Sequence, residues 1–478
     1  MESIWKENIS LRERQQLQED IRADVAVIGA GMAGLLTACL LQEKGIQVVV
    51  IDGDAIAGGV TQNTTAKITS QHDLIYKKLI TDFGQEKASQ YAQANQKAIK
   101  KYEEIISKKS IDCDFENKSA YLYTSEDPEL IHNEIAAAQS LGIPAQFVTD
   151  VNLPFKIKGA EVFTDQAQFH PLKFIRAISE ELDIYEHTWA RRVEKNEITT
   201  DHGKIIADSI VVATHYPFIN VPGYYFLKTH QERSYFLALE NAMQVNGMFK
   251  SIDKDGNSFR NYGSILLLGG GKHRTGDNKE GGKYEDLRKL AKNWFPQATE
   301  KTCWSAQDCM TVDDIPYIGQ YSISTPNMYV ATGFKKWGMT GSMVSAMILT
   351  DMIAGEKNEY ADVFSPQRMD IAASAKTFLQ NTAEVVSGLA SEIFEIPNEK
   401  LGEIKNGEGA IVDYKGQKAG VYKTESGEVH IVSTKCAHMG CQLEWNPDEK
   451  SWDCPCHGSR FDYRGNVINN PAMKGVKV

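Results

Sequence analysis

Long apolar runs and an excess of positive charge are both missing from this chain of 478 residues. No stretch approaches the roughly 18 consecutive apolar residues that a membrane-spanning helix needs. The start, MESIWKENISLRERQQ, has neither an apolar signal core nor a twin-arginine pair, and we therefore expect a cytoplasmic protein. With a net charge of −11, the chain is not expected to bind nucleic acid, because such binding needs a basic patch for phosphate contacts.

Internal repeats and low-complexity segments are missing as well. The composition, 42% hydrophobic and 24% charged, is that of an ordinary globular protein and excludes a disordered or fibrous chain. A chain of this length has room for two or three domains, each with its own core. We expect its ligands to be small molecules or redox partners.

Cysteine is sparse in most of the chain. Four of the eight cysteines are scattered through the first 400 residues, whereas the other four lie within residues 436–456. Such clustering predicts a metal site more than the disulfide scaffold of a small secreted protein.

A βαβ unit is predicted near the N-terminus, in ADVAVIGAGMAGLLTACLLQEKGIQVVVID. Residues 25–28 and 46–51 form buried apolar runs typical of parallel strands, and Met32 to Glu43 has the composition of a helix that stops at Gly45. Residues 1–22 precede this unit as a polar N-terminal arm.

The turn of this unit carries a dinucleotide-binding motif. Gly29, Gly31 and Gly34 lie between strand and helix, where they permit a tight turn, close approach of a pyrophosphate, and packing of helix on strand. The helix N-terminus would stabilise the pyrophosphate charge, and Asp52, at the end of the second strand, would accept hydrogen bonds from a ribose. This spacing does not choose between FAD and NAD.

Three further stretches carry a family resemblance: GGVTQNTTAKITSQHD after Asp52, VVATHYP at 211–217 and YVATGFKKWGMTGSMVSAMILTDMI at 329–353. Together they resemble the D-amino-acid oxidase type of FAD-dependent oxidoreductase, over about residues 20–360. The resemblance implies an α/β (α+β) fold with a Rossmann-type FAD-binding domain and an interleaved β-sheet substrate domain within residues 23–365. Its FAD-binding segments would be about 23–80, 185–220 and 305–360.

The same resemblance implies where FAD lies. Thr61, Thr65 and Lys67 would pass the pyrophosphate and the flavin edge, and Val193 would receive the adenine through its backbone. The loop from 333 to 340 would start a helix aimed at the pyrimidine end of the flavin, where free amide groups stabilise the negative charge of the reduced ring. The residues that the loop contributes are Gly333, Gly338, Met339 and Thr340. Three lysines have two interpretations each, a fixed cation beside the flavin or a solvated surface residue: Lys67, Lys335 and Lys336.

A second motif lies near the C-terminus, where Cys436-x-His438 is followed after fifteen residues by Cys454-x-x-His457. A structural zinc site and a Rieske 2Fe-2S cluster both use two cysteines and two histidines. Zinc fingers usually place both cysteines in the first arm, whereas here each arm contributes one of each. That arrangement favours the Rieske cluster, in which each loop gives a cysteine to one iron and a histidine to the other.

Residues 396–478, through CPCHGSRFD and NVINNPA, resemble the all-β Rieske family. The resemblance implies a disulfide between Cys441 and Cys456, as in the Rieske proteins of cytochrome bc complexes. Two free thiols are the alternative, because the cytosol disfavours disulfides. Ser459 matches a serine that bonds to a cluster sulfur, but Phe461 replaces a tyrosine with the same task. We expect a potential within the Rieske range of roughly −150 to +300 mV but below its top.

Residues 366–395 are predicted to link the two domains, because apolar residues recur at helical spacing from Met369 to Phe394. The flavin is the better partner for the cluster. The iron motif of Rieske oxygenases requires two histidines four or five residues apart, and no two of the eleven histidines have that spacing.

The sequence therefore predicts a dehydrogenase. A small amine or amino-acid-like substrate would give a hydride to FAD, and electrons would pass singly to the cluster and on to an acceptor, a protein or a quinone. Lys67, His170 and His273 are the candidate catalytic residues, although a buried structural histidine is the other interpretation of each imidazole. The oligomeric state is left open.

Two alternatives remain. An NAD(P)H-dependent reductase would need a second nucleotide motif, and the nearest stretch, LLLGGGKHRTG, has Arg274 at the third glycine position. A non-catalytic redox sensor would signal through the cluster.

Overall fold

The computed structural model describes residues 2–368, 371–394 and 399–478; the side chains of residues 371–378, 393–394 and 399–401 lie outside this description. Two large sheets with their helices form the first part of the chain, and two four-stranded sheets form the C-terminal part. Among the described residues, no helix is both long enough and apolar enough to cross a membrane.

The first sheet is built around the predicted βαβ unit. Its central strands run parallel because a helix connects them on the face of the sheet. Strand β1 ends in four buried apolar residues: Val25 and Val27 share a core cluster with helix α1 (Met32–Glu43), whereas Ala26 and Ile28 are buried on the opposite face of the sheet. The strands are β1 (Ile21–Ile28), β2 (Val48–Ile51), β7 (Asp183–Tyr185), β8 (Arg192–Glu194), β9 (Glu197–Thr199), β10 (Lys204–Val212), β16 (Tyr317–Gln320) and β17 (Met328–Thr332), in the order β16-β17-β10-β1-β2-β7; β9 also pairs with β10, and β8 pairs with β9.

The second sheet has nine strands and is interleaved with the first along the chain. Its order is β15-β11-β14-β13-β12-β4-β6-β3, with β5 beside β6. The strands are β3 (Lys67–Ile68), β4 (Glu116–Thr124), β5 (Ala145–Val148), β6 (Gly159–Gln168), β11 (Thr229–Glu240), β12 (Met248–Ser251), β13 (Ser258–Tyr262), β14 (Ile265–Arg274) and β15 (Thr299–Thr311).

Helices pack on both sheets. Helix α2 contains Gly84 at a φ of 83°, so it is two helical segments joined at a bend. The helices are α1 (Met32–Glu43), α2 (Ile75–Lys108), α3 (Glu129–Ser140), α4 (Pro171–Ser179), α5 (Tyr225–Lys228), α6 (Lys283–Trp294), α7 (Gly338–Ile353), α8 (Ala361–Phe364) and α9 (Ile371–Phe394), with 3-10 turns at Ile4–Lys6, Val60–Asn63 and Leu401–Glu403. Helix α9 occupies the predicted linker, although residues 369 and 370 lie outside the described residues.

The C-terminal part is all β, as the sequence predicts. One sheet pairs β18 (Glu399–Lys400), β19 (Gly409–Tyr414), β20 (Gln417–Lys423) and β21 (Val429–Ser433), and the other pairs β22 (Glu444–Asn446), β23 (Ser451–Asp453), β24 (Arg460–Asp462) and β25 (Val467–Asn469). Together with the two large sheets, these elements confirm the predicted fold class.

The C-terminal domain docks against strands β11 and β15 of the second sheet. Because side chains alternate along a strand, Gln231, Arg233 and Tyr235 share one face of β11, and Ser305 and Gln307 share the matching face of β15. This polar face, rather than an apolar one, contacts the C-terminal domain through hydrogen bonds.

Candidate functional site

A cavity of about 1300 Å³ lies between the two large sheets and the C-terminal domain. Its size exceeds the roughly 300–1,000 Å³ of a site for one drug-sized ligand, and it therefore suits a dinucleotide together with a substrate. Its walls are formed by the glycine turn before α1, the segment 57–67, the start of α7, strands β11 and β15, and residues 467–470 of the C-terminal domain.

The glycine turn at the cavity has no room for side chains. Gly29 has a φ of +112°, and a Cβ there would lie 2.5 Å from the carbonyl oxygen of Ala213. A Cβ on Gly34 would lie 1.9 Å from the carbonyl oxygen of Gly29. The turn therefore brings bare backbone and the N-terminus of α1 to the cavity, which is what binding of a pyrophosphate requires.

Asp52 and Thr61 hold this turn in place. The Asp52 carboxylate accepts hydrogen bonds from the backbone amides of Ala30, at 2.6 Å, and Asp54, at 2.9 Å. Burial raises the pKa of Asp52 despite these bonds. A carboxylate has further lone pairs, so the group that orders the turn can also accept from a ribose hydroxyl. The Thr61 hydroxyl accepts from the amide of Met32 at 3.0 Å and joins the 57–67 segment to α1.

Another part of the cavity wall is formed by Thr188, Trp189 and Ala190. Val193 is not among the lining residues; it lies beyond them in β8, paired with Ile198 of β9. The residues that line the cavity in this segment therefore precede the predicted residue, Val193, by a few positions.

The start of α7 forms another wall, through residues 334–339. Gly333, just before it, has a φ of +75°, and a Cβ there would lie 2.2 Å from Cγ2 of Thr311. Gly338 and Met339 line the cavity, whereas Thr340 is fully buried behind it and donates its hydroxyl to the carbonyl of Thr69 at 2.7 Å. The N-terminus of α7 therefore lies at the cavity wall.

The three predicted lysines differ in their partners. Lys335 lies 2.7 Å from Asp314, and Lys336 lies 2.8 Å from Asp308 and donates to Ser234 at 3.1 Å. Among the ion pairs of residues 2–368, 371–394 and 399–478, none includes Lys67.

Lys67 is set apart by its surroundings. Its Nζ donates to the carbonyl of Phe249 at 3.2 Å, and the residue lines the cavity next to Thr65. Burial, followed by repulsion from Lys250 and Arg260, lowers the pKa of Lys67 to about 7. An amine with such a pKa takes up and releases protons near neutral pH, which is the property of a general base.

The two predicted histidines lie elsewhere. His170 caps the N-terminus of α4, where Nδ1 accepts from the amide of Lys173 at 3.3 Å, and its ring packs edge-on against Trp5. His273 stacks on Tyr235, with Nε2 3.1 Å from the tyrosine hydroxyl. Neither imidazole is among the side chains that line the cavity. Gly269 to Gly271, in the stretch considered as a second nucleotide motif, lie within strand β14 and not at a strand-to-helix turn.

The four predicted cluster ligands meet at the tips of two loops. The rings of His438 and His457 lie 4.9 Å apart at 90°, and the thiols of Cys436 and Cys454 are in hydrogen-bond contact. The Nδ1 atoms of both histidines are buried and have no hydrogen-bond partner within the described parts of the chain. Two thiols and two unpartnered imidazole nitrogens on facing loops fit the donor set of a Rieske cluster.

The neighbouring residues complete this site. Cys441 and Cys456 form a disulfide that joins the two loops, and both are 1% exposed. The Ser459 hydroxyl forms a hydrogen bond with the Cys436 sulfur and accepts a hydrogen bond from the backbone amide of Ala472 at 3.0 Å. Phe461 is fully buried in the core of the domain and brings no hydroxyl to the cluster.

A buried polar network at the domain interface escaped the sequence analysis. Arg233 of β11 binds the carboxylate of Glu449, with Nε 3.0 Å from Oε2, and Arg460 lies 3.2 Å from the same carboxylate. Burial alone would raise the pKa of Glu449, but the two arginines lower it to about 2. In the sequence, residues 229–234 of β11, THQERS, are polar at every position, and polar side chains need partners when they are buried.

Comparisons with known proteins agree with this architecture. Residues 24–352 match the family described as FAD dependent oxidoreductase, and residues 396–478 match the Rieske [2Fe-2S] domain. The Rieske 2Fe-2S iron-sulfur protein YhfW of Bacillus subtilis is 38% identical, over 100% of this chain and 97% of its own length.

Solved structures share the fold of the first domain. Glycine oxidase from Geobacillus kaustophilus superposes with a TM-score of 0.62 at 18% identity, over 73% of this chain and 99% of the oxidase. L-proline dehydrogenase from P. horikoshii gives 0.62 at 16% identity, over 74% and 98%. The chain belongs to the D-amino-acid-oxidase type of FAD-dependent oxidoreductases and carries a C-terminal Rieske [2Fe-2S] domain, so its cofactors are FAD and a 2Fe-2S cluster.

Proposed function

We propose that this enzyme is a dehydrogenase for a small amine or amino-acid-like substrate and that its electrons leave through its own Rieske cluster to an external one-electron acceptor. One observation carries the proposal: residues of the Rieske domain line the same cavity as the glycine turn and Lys67. Glu449, Asn470 and Met473 are among them. This shared cavity supports electron transfer from the flavin to the cluster within one chain.

FAD, when bound, accepts a hydride from a C–H bond beside nitrogen, and the 2Fe-2S cluster takes up one electron at a time. The chain's own task is to prepare the substrate. A protonated amine does not readily lose a hydride from the carbon beside its nitrogen, because that nitrogen has no lone pair to stabilise the cationic carbon. Lys67 has a pKa of about 7, so its side chain is neutral at higher pH. Its Nζ then accepts the ammonium proton of the substrate and leaves the free amine in the cavity.

The charges around Lys67 keep it available for this task. Lys250 is paired with Asp73, whose pKa would be raised by burial but is held at about 2 by Lys250 and Lys335. Arg233 and Arg460 are likewise neutralised by Glu449 and by Asp453 of the Rieske domain. The pKa of Lys67, lowered to about 7 mainly by burial, allows its proton to be removed near neutral pH.

The substrate class is supported by the fold relatives. Their names, glycine oxidase and L-proline dehydrogenase, refer to small amino acids with a primary and a secondary amine.

The test is an anaerobic titration of the holoprotein with glycine, L-proline, a panel of simple amines, and NADH. Flavin absorbance and the EPR signal of the reduced cluster are followed together. We expect an amine or amino acid to bleach the flavin first and to produce the cluster signal afterwards. Reduction by NADH alone would show that the protein is a reductase, and bleaching without a cluster signal would rule out the electron route.

A further inference from the structure

Two buried glutamines connect the flavin cavity to one loop of the cluster. Gln307 of β15 lines the cavity and is 2% exposed, and Gln231 of β11 beside it is 1% exposed. The Gln307 amide donates to the side-chain oxygen of Gln231 at 2.6 Å. It also donates to the carbonyl of Gly458 at 2.8 Å, next to the ligand His457.

The second glutamine continues in the same direction. Its amide donates to the carbonyl of His457 at 2.7 Å and to the carbonyl of Asn470 at 3.2 Å. The donor hydrogens of both side chains are therefore directed from the cavity wall to the Rieske domain or to each other. Since buried amides without partners are costly, this arrangement fixes both side chains and the loop that they hold.

The loop that carries His457 packs directly against strand β11 at Gly458. Gly458 has a φ of +79°, and a Cβ there would lie 2.6 Å from Cβ of Gln231. No side chain other than hydrogen fits between the strand and the loop. Asn470, from the same domain, donates to the carbonyls of Thr214 and Tyr216, both at 2.8 Å, and Thr214 lines the cavity.

The two histidine ligands face different surroundings. His457 is 1% exposed and lies on the side of the glutamines, whereas His438 is half-buried and its Nε2 lies 2.8 Å from Oδ1 of Asn220. The enclosed side of the cluster is thus the one joined to the cavity.

We propose that Gln231 and Gln307 are positioning residues that hold the His457 loop against the cavity wall and so provide the entry route for electrons. The inference rests on the proposed function and adds the residues of its route. Each passage moves one electron: the reduced flavin loses it, one iron of the oxidised cluster gains it, and no protein bond is made or broken. An external one-electron acceptor then reoxidises the cluster, so two passages clear the two electrons of one substrate.

The test avoids substrate altogether. The holoprotein is fully reduced with dithionite, then mixed in a stopped-flow instrument with one equivalent of ferricyanide, a one-electron oxidant. Re-reduction of the cluster by the flavin is followed at the visible bands of both centres. In the parent protein we expect a first-order rate that does not change with protein concentration.

Gln231→Leu and Gln307→Leu remove the donors. We expect each to slow re-reduction by about tenfold or more, because small displacements of reacting centres cost large factors in rate. The midpoint potential and EPR g-values of the cluster should stay unchanged, since its ligands are untouched. The matched control is Gln168→Leu, which removes a buried glutamine, 3% exposed, that donates to the carbonyl of Asn261 far from the cluster.

Gln307→Glu keeps the side-chain size but loses the donors, and serves where a leucine variant fails to retain its cluster. Unchanged re-reduction rates in the glutamine variants would overturn the proposal. So would a rate in the parent protein that rises with concentration, because electrons would then pass between chains. Failure of the amine titration alone would leave this result standing and would refute only the substrate assignment.

Discussion

The cluster site and the flavin cavity of this enzyme are built in opposite ways. All four cluster ligands lie within 436–457, on two loops whose own backbone bonds shape them: the Gly440 amide donates to the Cys436 carbonyl, and the Gly458 amide to that of Cys454. The cavity collects its walls from Gly29 to Met473. One site is local in sequence and the other depends on the whole fold.

This difference decides how each site responds to change. A local site is lost when one ligand is lost, but its loss need not disturb the rest of the chain. A site assembled from distant segments tolerates substitution at the majority of its positions. It depends on the few residues where the backbone has no room for a side chain or where a charge has no partner. Single substitutions in one site should therefore leave the other site intact.

Cys454→Ser should give the largest effect, complete loss of the 2Fe-2S cluster, because an alcohol is a poor ligand for iron in place of a thiolate. Iron content and the EPR signal of the reduced protein measure it. Flavin binding and anaerobic bleaching by substrate should persist, since the glycine turn and Lys67 are elsewhere. Cys303→Ser, at a buried cysteine in the first domain, is the control. Loss of both cofactors in Cys454→Ser would show that the sites are not independent.

Gly34→Ala should do the reverse. The added Cβ would lie 1.9 Å from the Gly29 carbonyl, so helix α1 must move off β1 and the pyrophosphate site is distorted. We expect FAD affinity to fall by about 100-fold, which corresponds to roughly 2.7 kcal/mol, while the cluster signal remains. Flavin fluorescence on dilution measures the release. Gly402→Ala, where a Cβ meets nothing within 4 Å, should bind FAD normally.

The sequence predicted much of both sites, for different reasons. Cys454 and His457 were predicted as ligands because ligand spacing is a local signal, and Gly29 and Gly34 were predicted to bind the cofactor because a tight turn and close packing each demand glycine. The structure adds what no spacing carries: the ion pairs of Lys335 and Lys336, and the lack of one at Lys67 among the described residues, depend on carboxylates far away in the chain.

The contacts at the domain interface could not be predicted from the sequence for the same reason. Glu449 lies in a turn between β22 and β23, where an acidic residue is ordinarily solvated. Only the docking of the domain turns it into the buried partner of Arg233. Likewise, His170 and His273 were selected by residue type, and their surroundings show an N-cap and a tyrosine partner instead of the cavity.

Lys67→Met should lower kcat/KM for the amine substrate by roughly 10²-fold or more, the usual contribution of a general base. In the parent protein, kcat/KM should rise as the pH increases through about 7 and then level off, because Lys67 accepts a proton only when neutral. Lys67→Arg keeps the charge but does not titrate in this range, so this rise should vanish. A parent profile that is flat between pH 6 and 8, by stopped-flow flavin reduction, would remove Lys67 as the base.

Ser459→Ala should give the smallest effect, on the cluster alone. The Ser459 hydroxyl bonds to the Cys436 sulfur and stabilises the extra negative charge of the reduced cluster. A hydrogen bond to a charged group contributes about 1.5 kcal/mol, so the midpoint potential should fall by roughly 60 mV. Ser433→Ala, on β21, should leave the potential unchanged in the same redox titration. Because the flavin is in another domain, its potential should not move in either variant; a shift of both potentials together would mean that the cluster loop and the cavity are coupled more tightly than their separate construction implies.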